Sequence, residues 1–166
     1  MPEDPASSIV HALKYGGWSR VAEEMAERMS RLPWPRDVVD ERAALVAIPL
    51  ASARKRERGY NQSALIAAGL SERWRVPVLE GMVVRSRETG SQTKLTAEQR
   101  LANVAGSFQI GSRNVDALRG AHVMIVDDVV TTAATLNACA KVLYDAGARI
   151  ISYVTFGRAR ATGDRL

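Results

Sequence analysis

Two adjacent carboxylates followed by a cluster of threonines are the residues best suited to chemistry in this 166-residue chain. Residues 122–135 read HVMIVDDVVTTAAT. An apolar run ends at Asp127 and Asp128, and Thr131, Thr132, Ala133, Ala134 and Thr135 follow after two valines. A helical pattern, LNACAKVLYDAG, then runs to Gly147. A buried strand, an acidic pair, a Thr-rich turn and a helix start make a candidate sugar-phosphate site. Free main-chain N–H groups and the positive end of the helix dipole favour an anion there. The hydroxyls of Thr131, Thr132 and Thr135 supply further donors for phosphate oxygens. Ionised carboxylates only accept hydrogen bonds, so Asp127 and Asp128 suit the hydroxyls of a ribose rather than its phosphate. Helix capping is the plainer reading, because Asp and Thr are ordinary N-caps. The acidic pair and three threonines so close together favour the ligand site.

A second cationic candidate follows the apolar run 44–50. Five of the seven residues 54–60 are charged, four of them basic: Arg54, Lys55, Arg56 and Arg58. Alone, such a run is usually a solvated face. Directly after a buried strand, it also reads as a basic loop at that strand's carboxyl end, beside Asp127. A third polar stretch, RSRETGSQTKLTAEQRLAN over residues 85–103, reads as a surface loop leading into an amphipathic helix.

The elements that must position these residues follow from hydropathy patterning. Residues 6–29 read as mostly helical, with Trp18, Val21, Ala22, Met25 and Met29 at helical spacing. Residues 31–42, with Pro33 and Pro35, read as a connector. Strands are expected at 44–50, 76–79, 82–84, near Phe108, at 123–126 and at 150–156. Helices are expected at 62–74, at 96–102 with Thr96 and Gln99 in capping-box spacing, and after Thr135. Residues 1–8 are expected to be loose. Strands alternating with helices predict an α/β fold, a mainly parallel sheet with helices on both faces. Ligands of such sheets bind at the carboxyl ends of the strands, where Asp127 falls.

Length and composition bound the reading. The chain is long enough for one domain with a substantial core, and residues 1–166 are read as a single domain. The apolar share of 46% and charged share of 25% are ordinary for a globular protein. A net charge of +5 permits polyanionic partners without requiring them. One cysteine, Cys139, rules out a disulfide within the chain and reads as a small buried residue. No apolar run reaches the length of a membrane span, and MPEDPASS is not a signal peptide, so a cytoplasmic location is expected.

VDDVVTTAAT resembles the motif by which type I phosphoribosyltransferases bind phosphoribosyl pyrophosphate (PRPP). The resemblance implies that Asp127 and Asp128 hold the ribose hydroxyls and that residues 131–135 wrap the 5′-phosphate. Ala133 stands where the family usually has Gly, so the loop is expected to be narrowed or reshaped. The family places its pyrophosphate loop after the preceding strand, which assigns that role to Arg54, Lys55 and Arg56.

Arg54, Arg56, Arg58, Gly59, Tyr60, Asn61 and Gln62 are also similar to the basic–RGFNQ signature of the competence-associated ComF family, a branch of the phosphoribosyltransferase-like proteins. Ala51 and Ser52 replace the His-Pro that often precedes it. Arg85, Thr89, Gln92, Leu95, Arg100 and Asn103 match in order, as do LKYGG at 13–17 and FGRAR at 156–160. The resemblance implies a mobile lid that includes Arg85, Arg87 and Lys94, and Mg²⁺ bound together with PRPP. Many ComF proteins carry a cysteine-rich zinc module before LKYGG. One cysteine with His11 and His122 far apart cannot build such a site, so no zinc module is expected.

Two functions stay open at this point. One is PRPP or ribose 5-phosphate binding, with transfer of the phosphoribosyl group to a nitrogen acceptor. The other is a non-catalytic accessory role in competence, with single-stranded DNA or DNA-uptake proteins as partners. The basic run is compatible with DNA, but aromatics make up only 5% of the chain and are scattered.

Overall fold

The computed structural model describes residues 20–86, 106–111, 115–131 and 133–158. The expected loose start at 1–8, the first part of the helix placed at 6–29, and the helix placed at 96–102 lie outside the described residues. In chain order the elements are α1 (Arg20–Ser30), α2 (Arg36–Glu41), β1 (Arg42–Ala47), α3 (Ser52–Arg58) and α4 (Gln62–Trp74). Then follow β2 (Val83–Arg85), β3 (Phe108–Ile110), a 3₁₀ turn at Val115–Leu118, β4 (His122–Val130), α5 (Ala134–Asp145) and β5 (Ile150–Arg158).

β4 is the centre of a parallel sheet ordered β1-β4-β5. An isolated parallel bridge, Leu45 to Val78, extends this sheet beyond β1, where a strand was expected at 76–79. β2 and β3 form a separate antiparallel ribbon. Side chains alternate across β4, as a period of two requires. Met124 and Val126 join α1 and α4 on one face; Val123 and Ile125 join α5 and the ribbon on the other. Burying each such side chain contributes about 1.5–3 kcal/mol, which anchors the strand that carries the acidic pair. α1 and α4 approach so closely that a Cβ added at Gly69 would lie 2.7 Å from the Cβ of Ala26. The α/β architecture read from the sequence is therefore the one observed.

Several boundaries differ from expectation, each for a local reason. The connector at 31–42 contains α2, which starts behind Pro35, a residue with a backbone φ suited to helix entry. β1 ends at Ala47 rather than residue 50, since Pro49 has no N–H for a ladder. The segment after β1 is helical rather than a loop. Its Arg, Lys and Glu residues are good helix formers, and Gly59 ends it with φ 79°, donating its N–H to Lys55 O. β4 does not stop before the carboxylates. It runs through them to Val130 because β5 continues to pair with it, Asp127 opposite Thr155 and Val130 opposite Arg158.

Candidate functional site

β1 is the shorter neighbour of β4. Its last paired residue, Ala47, lies opposite Val126, and Ile48 N–H still bonds to Val126 O. Asp127 and Asp128 therefore lie just past the end of β1, where the sheet opens into a crevice. A pocket there is lined by both aspartates together with Arg54, Arg58, Gln62 and Thr135, among others.

The carboxylates are held by short local bonds. Asp127 Oδ1 accepts from Ser63 Oγ at 2.8 Å and from the main-chain N–H of Asp128 at 2.9 Å. Asp128 Oδ1 accepts from Val129 N–H at 2.8 Å. Asp128 is buried, while Asp127 keeps part of its surface open. Burial pushes the Asp127 carboxyl up to about 7, and the neighbouring Asp128 charge adds to the rise. The Ser63 hydroxyl and the Asp128 N–H oppose it. A cation, or sugar hydroxyls donating to the carboxylates, would offset the charge that Asp128 places beside Asp127.

α5 starts behind β4 with an unusual entry. Its N-cap is Ala133, in the left-handed region at φ 56°, and no side chain caps it. The capping reading of the Asp and Thr residues is thus not what the structure displays. Non-Gly residues occupy this region at a cost of about 1–2 kcal/mol. The position at which the family's motif has Gly is therefore the position that adopts positive φ. The start of α5 has no side-chain cap and suits an anion. Thr135 faces the pocket from the first turn of α5, Ala134 is buried, and Thr131 is exposed at the end of the strand. Thr132 lies outside the described residues.

The basic segment divides by helical geometry. Arg54 and Arg58 are four residues apart, share one face of α3 and line the pocket. Lys55 lines a neighbouring groove, and Arg56 lines neither. Arg58, the last cation of the basic run, lines the pocket beside Arg54. The signal available for it was the i, i+4 spacing of a helix, hidden because the segment was read as a loop. Arg85, on β2, also lines the pocket, with its guanidinium 5.2 Å from the centre of the Phe108 ring. Burial and the nearby Arg54 charge lower its pKa, and Asp127 opposes the change. Arg87 and Lys94 lie outside the described residues.

Asn61 joins these parts. Its Oδ1 accepts from Ser63 N–H at 3.2 Å, capping α4, and its Nδ2 donates to Ile48 O at 2.9 Å. The start of α4 is thereby fastened to the end of β1, which brings Ser63 to Asp127. Ser63 carried no signal in the sequence. Away from the pocket, Cys139 is buried and its thiol is pushed up to about 12, mainly by burial. It is an inert core residue. Trp34 and Trp74 pack edge to face, ring centres 5.8 Å apart, with Arg42 over Trp74. They lie at the opposite end of β1 from the pocket. Among the described residues no group of three or more His, Cys, Asp or Glu could hold a metal ion, and no helix is long and apolar enough to cross a membrane.

The profile of the phosphoribosyl transferase domain matches residues 21–165. This chain belongs to the phosphoribosyl transferase domain family. Competence protein F of Haemophilus influenzae is 37% identical over 119 residues, covering 71% of this chain and 50% of that protein. DNA utilization protein YhgH of Salmonella typhi is 32% identical over 157 residues, covering 89% of this chain and 64% of that protein. The chain thus spans between 50% and 64% of the length of these relatives. Within the family it stands in the competence-associated, ComF-like branch, as its motifs indicated. Among solved structures, the glutamine PRPP amidotransferase of B. subtilis complexed with ADP and GMP aligns with a TM-score of 0.53. The match is 15% identical and covers 81% of this chain and 26% of that one, a likeness of fold.

Proposed function

We propose that this phosphoribosyl transferase-like chain binds PRPP and transfers its 5-phosphoribosyl group to a nitrogen acceptor, releasing pyrophosphate. One observation carries the reading. Two carboxylates, the start of a helix with no side-chain cap and a pair of arginines on one helical face meet in a single crevice at the carboxyl end of β4. Sugar hydroxyls, a 5′-phosphate and a diphosphate are complementary to these three features in turn.

In this reading Asp127 and Asp128 orient the ribose, and residues 131–135 surround the 5′-phosphate. Arg54 and Arg58 lie toward the diphosphate, with Lys55 and Arg56 turned from it. The nitrogen lone pair forms a bond to the anomeric carbon as the bond to the diphosphate oxygen breaks. The electron pair leaves with pyrophosphate, and the nitrogen releases its proton to solvent. Positive charge placed in advance near the leaving oxygens lowers the barrier. Arg85, expected in a lid, lines the pocket from strand β2 instead, and the lid role implied by the resemblance is left to Arg87 and Lys94.

The two carboxylates fit a Mg²⁺ ion carried by the ligand better than one caged by protein, since Mg²⁺ keeps waters and takes few side chains. Asp127 and Asp128 would approach such an ion, which would supply charge neutralisation on the diphosphate. Calorimetry with PRPP, with and without Mg²⁺, tests the reading. We expect binding that Asp127→Asn combined with Asp128→Asn weakens tenfold or more, since each hydrogen bond to a charged group contributes about 1.5–3 kcal/mol. Equal affinity in wild type and the double variant would remove it.

A second reading is favoured by the names of the relatives, a competence protein and a DNA utilization protein. There the chain would serve DNA uptake as a non-catalytic accessory, with single-stranded DNA or DNA-uptake proteins as partners. Either role is compatible with a cytoplasmic location.

A further inference from the structure

Gln62 is the most deeply buried polar residue among those that line the pocket. Only 2% of its surface is exposed, and its Nε2 has no hydrogen-bond partner among the described residues. A buried amide without a partner destabilises a fold, and a ligand acceptor in the pocket would complete it. Gln62 opens α4, a helix of 13 residues whose N-terminus faces the pocket. Asn61 and Ser63, on either side of it, are committed to Ile48 and Asp127. Gln62 alone of the three has a side chain left to offer.

We propose that Gln62 recognises the diphosphate of the ligand, donating Nε2–H to a phosphate oxygen between Arg54 and Arg58 on one side and the acidic pair on the other. Charge complementarity selects the diphosphate over the sugar. Arg54 and Arg58 line the same pocket and Gln62 sits at the positive end of the α4 dipole, which favours an anionic acceptor. Ribose hydroxyls already have Asp127 and Asp128 to accept their hydrogen bonds. The inference deepens the PRPP reading and rests on it only for what the diphosphate is attached to.

The test uses the full chain, three ligands and two variants, all at one fixed Mg²⁺ concentration. Inorganic pyrophosphate, PRPP and ribose 5-phosphate are titrated into wild type, Gln62→Met and Gln62→Glu. Met keeps the length of the side chain and removes the amide; Glu keeps the shape and adds a charge that repels phosphate. We expect about tenfold weaker binding of pyrophosphate and PRPP in Gln62→Met, and a larger loss in Gln62→Glu. Ribose 5-phosphate should bind all three proteins equally. Without ligand, Gln62→Met should melt at the same temperature as wild type or higher, because the unpartnered amide is gone. A structural glutamine would give the reverse.

Equal pyrophosphate affinity in all three proteins, or no pyrophosphate binding by wild type, would overturn the assignment. So would a loss for ribose 5-phosphate as large as that for PRPP, which would move Gln62 to the sugar. Loss of the cooperative melt in both variants would make Gln62 a folding residue and overturn it too. Pyrophosphate binding that depends on Gln62, with no binding of ribose 5-phosphate and no gain for PRPP, would uphold this inference while removing the phosphoribosyl reading.

Discussion

Ser63 Oγ donates a 2.8 Å hydrogen bond to Asp127 Oδ1, joining residues 64 positions apart. The bond ties the first turn of α4 to the acidic pair and favours the ionised form of Asp127. Ser63→Ala should therefore raise the Asp127 pKa further and weaken PRPP binding about tenfold near neutral pH. Affinity should recover as pH rises. A loss that stays constant across pH would show that Ser63 acts by packing alone.

The raised pKa of Asp127 makes a prediction for stability. Its value moves from 3.8 to about 7 on folding, so the folded state holds this proton more tightly than the unfolded chain. Ionisation of Asp127 then opposes folding. That effect is absent below the unfolded value, grows as pH rises from about 4, and is complete above the folded value. Measured by urea denaturation, wild type should lose stability relative to Asp127→Asn across this window. Parallel stability curves for the two proteins would contradict the assignment of the raised pKa to this site.

Ala133 stores strain at the entrance to α5, with φ 56°. Ala133→Gly should relieve about 1 kcal/mol or slightly more, less what Gly loses in chain entropy. The melting temperature should rise by a few degrees. PRPP or ribose 5-phosphate should bind more tightly if the strained loop limits the phosphate site. Weaker binding would mean that the present loop is already well formed and that added flexibility dominates.

The two faces of α3 separate the two functional readings. Arg54→Ala with Arg58→Ala should erase the preference for PRPP over ribose 5-phosphate, while Lys55→Ala with Arg56→Ala should leave it intact. Fluorescence titration with a single-stranded oligonucleotide, repeated at several salt concentrations, gives the counter-test. If DNA is the ligand, affinity falls steeply with salt and the slope drops when Lys55 and Arg56 are removed. That result, with no PRPP preference in wild type, would make the accessory role the better reading.

Much of this was legible in the chain itself because it is encoded locally. The α4 helix lies at Gln62–Trp74, as its apolar spacing indicates, and Asn61 caps it. The unbroken apolar run along β4 is that of a strand buried on both faces, and the acidic pair that follows it lies at the carboxyl end of the sheet. Ala133, which the family resemblance sets in the place of a Gly, is the residue that takes positive φ. Other features depended on register and packing across long separations. β4 passes through its carboxylates because β5 keeps pairing with it, while β1 stops at Ala47 and leaves them open. Ser63 reaches Asp127, and Gln62 is buried beside them, only because Asn61 pins α4 to the end of β1. Arg58 joins Arg54 because the basic run coils into a helix instead of a loop. No window of a few residues carries such contacts. They follow from how far each strand extends against its neighbour, and only the assembled sheet decides that.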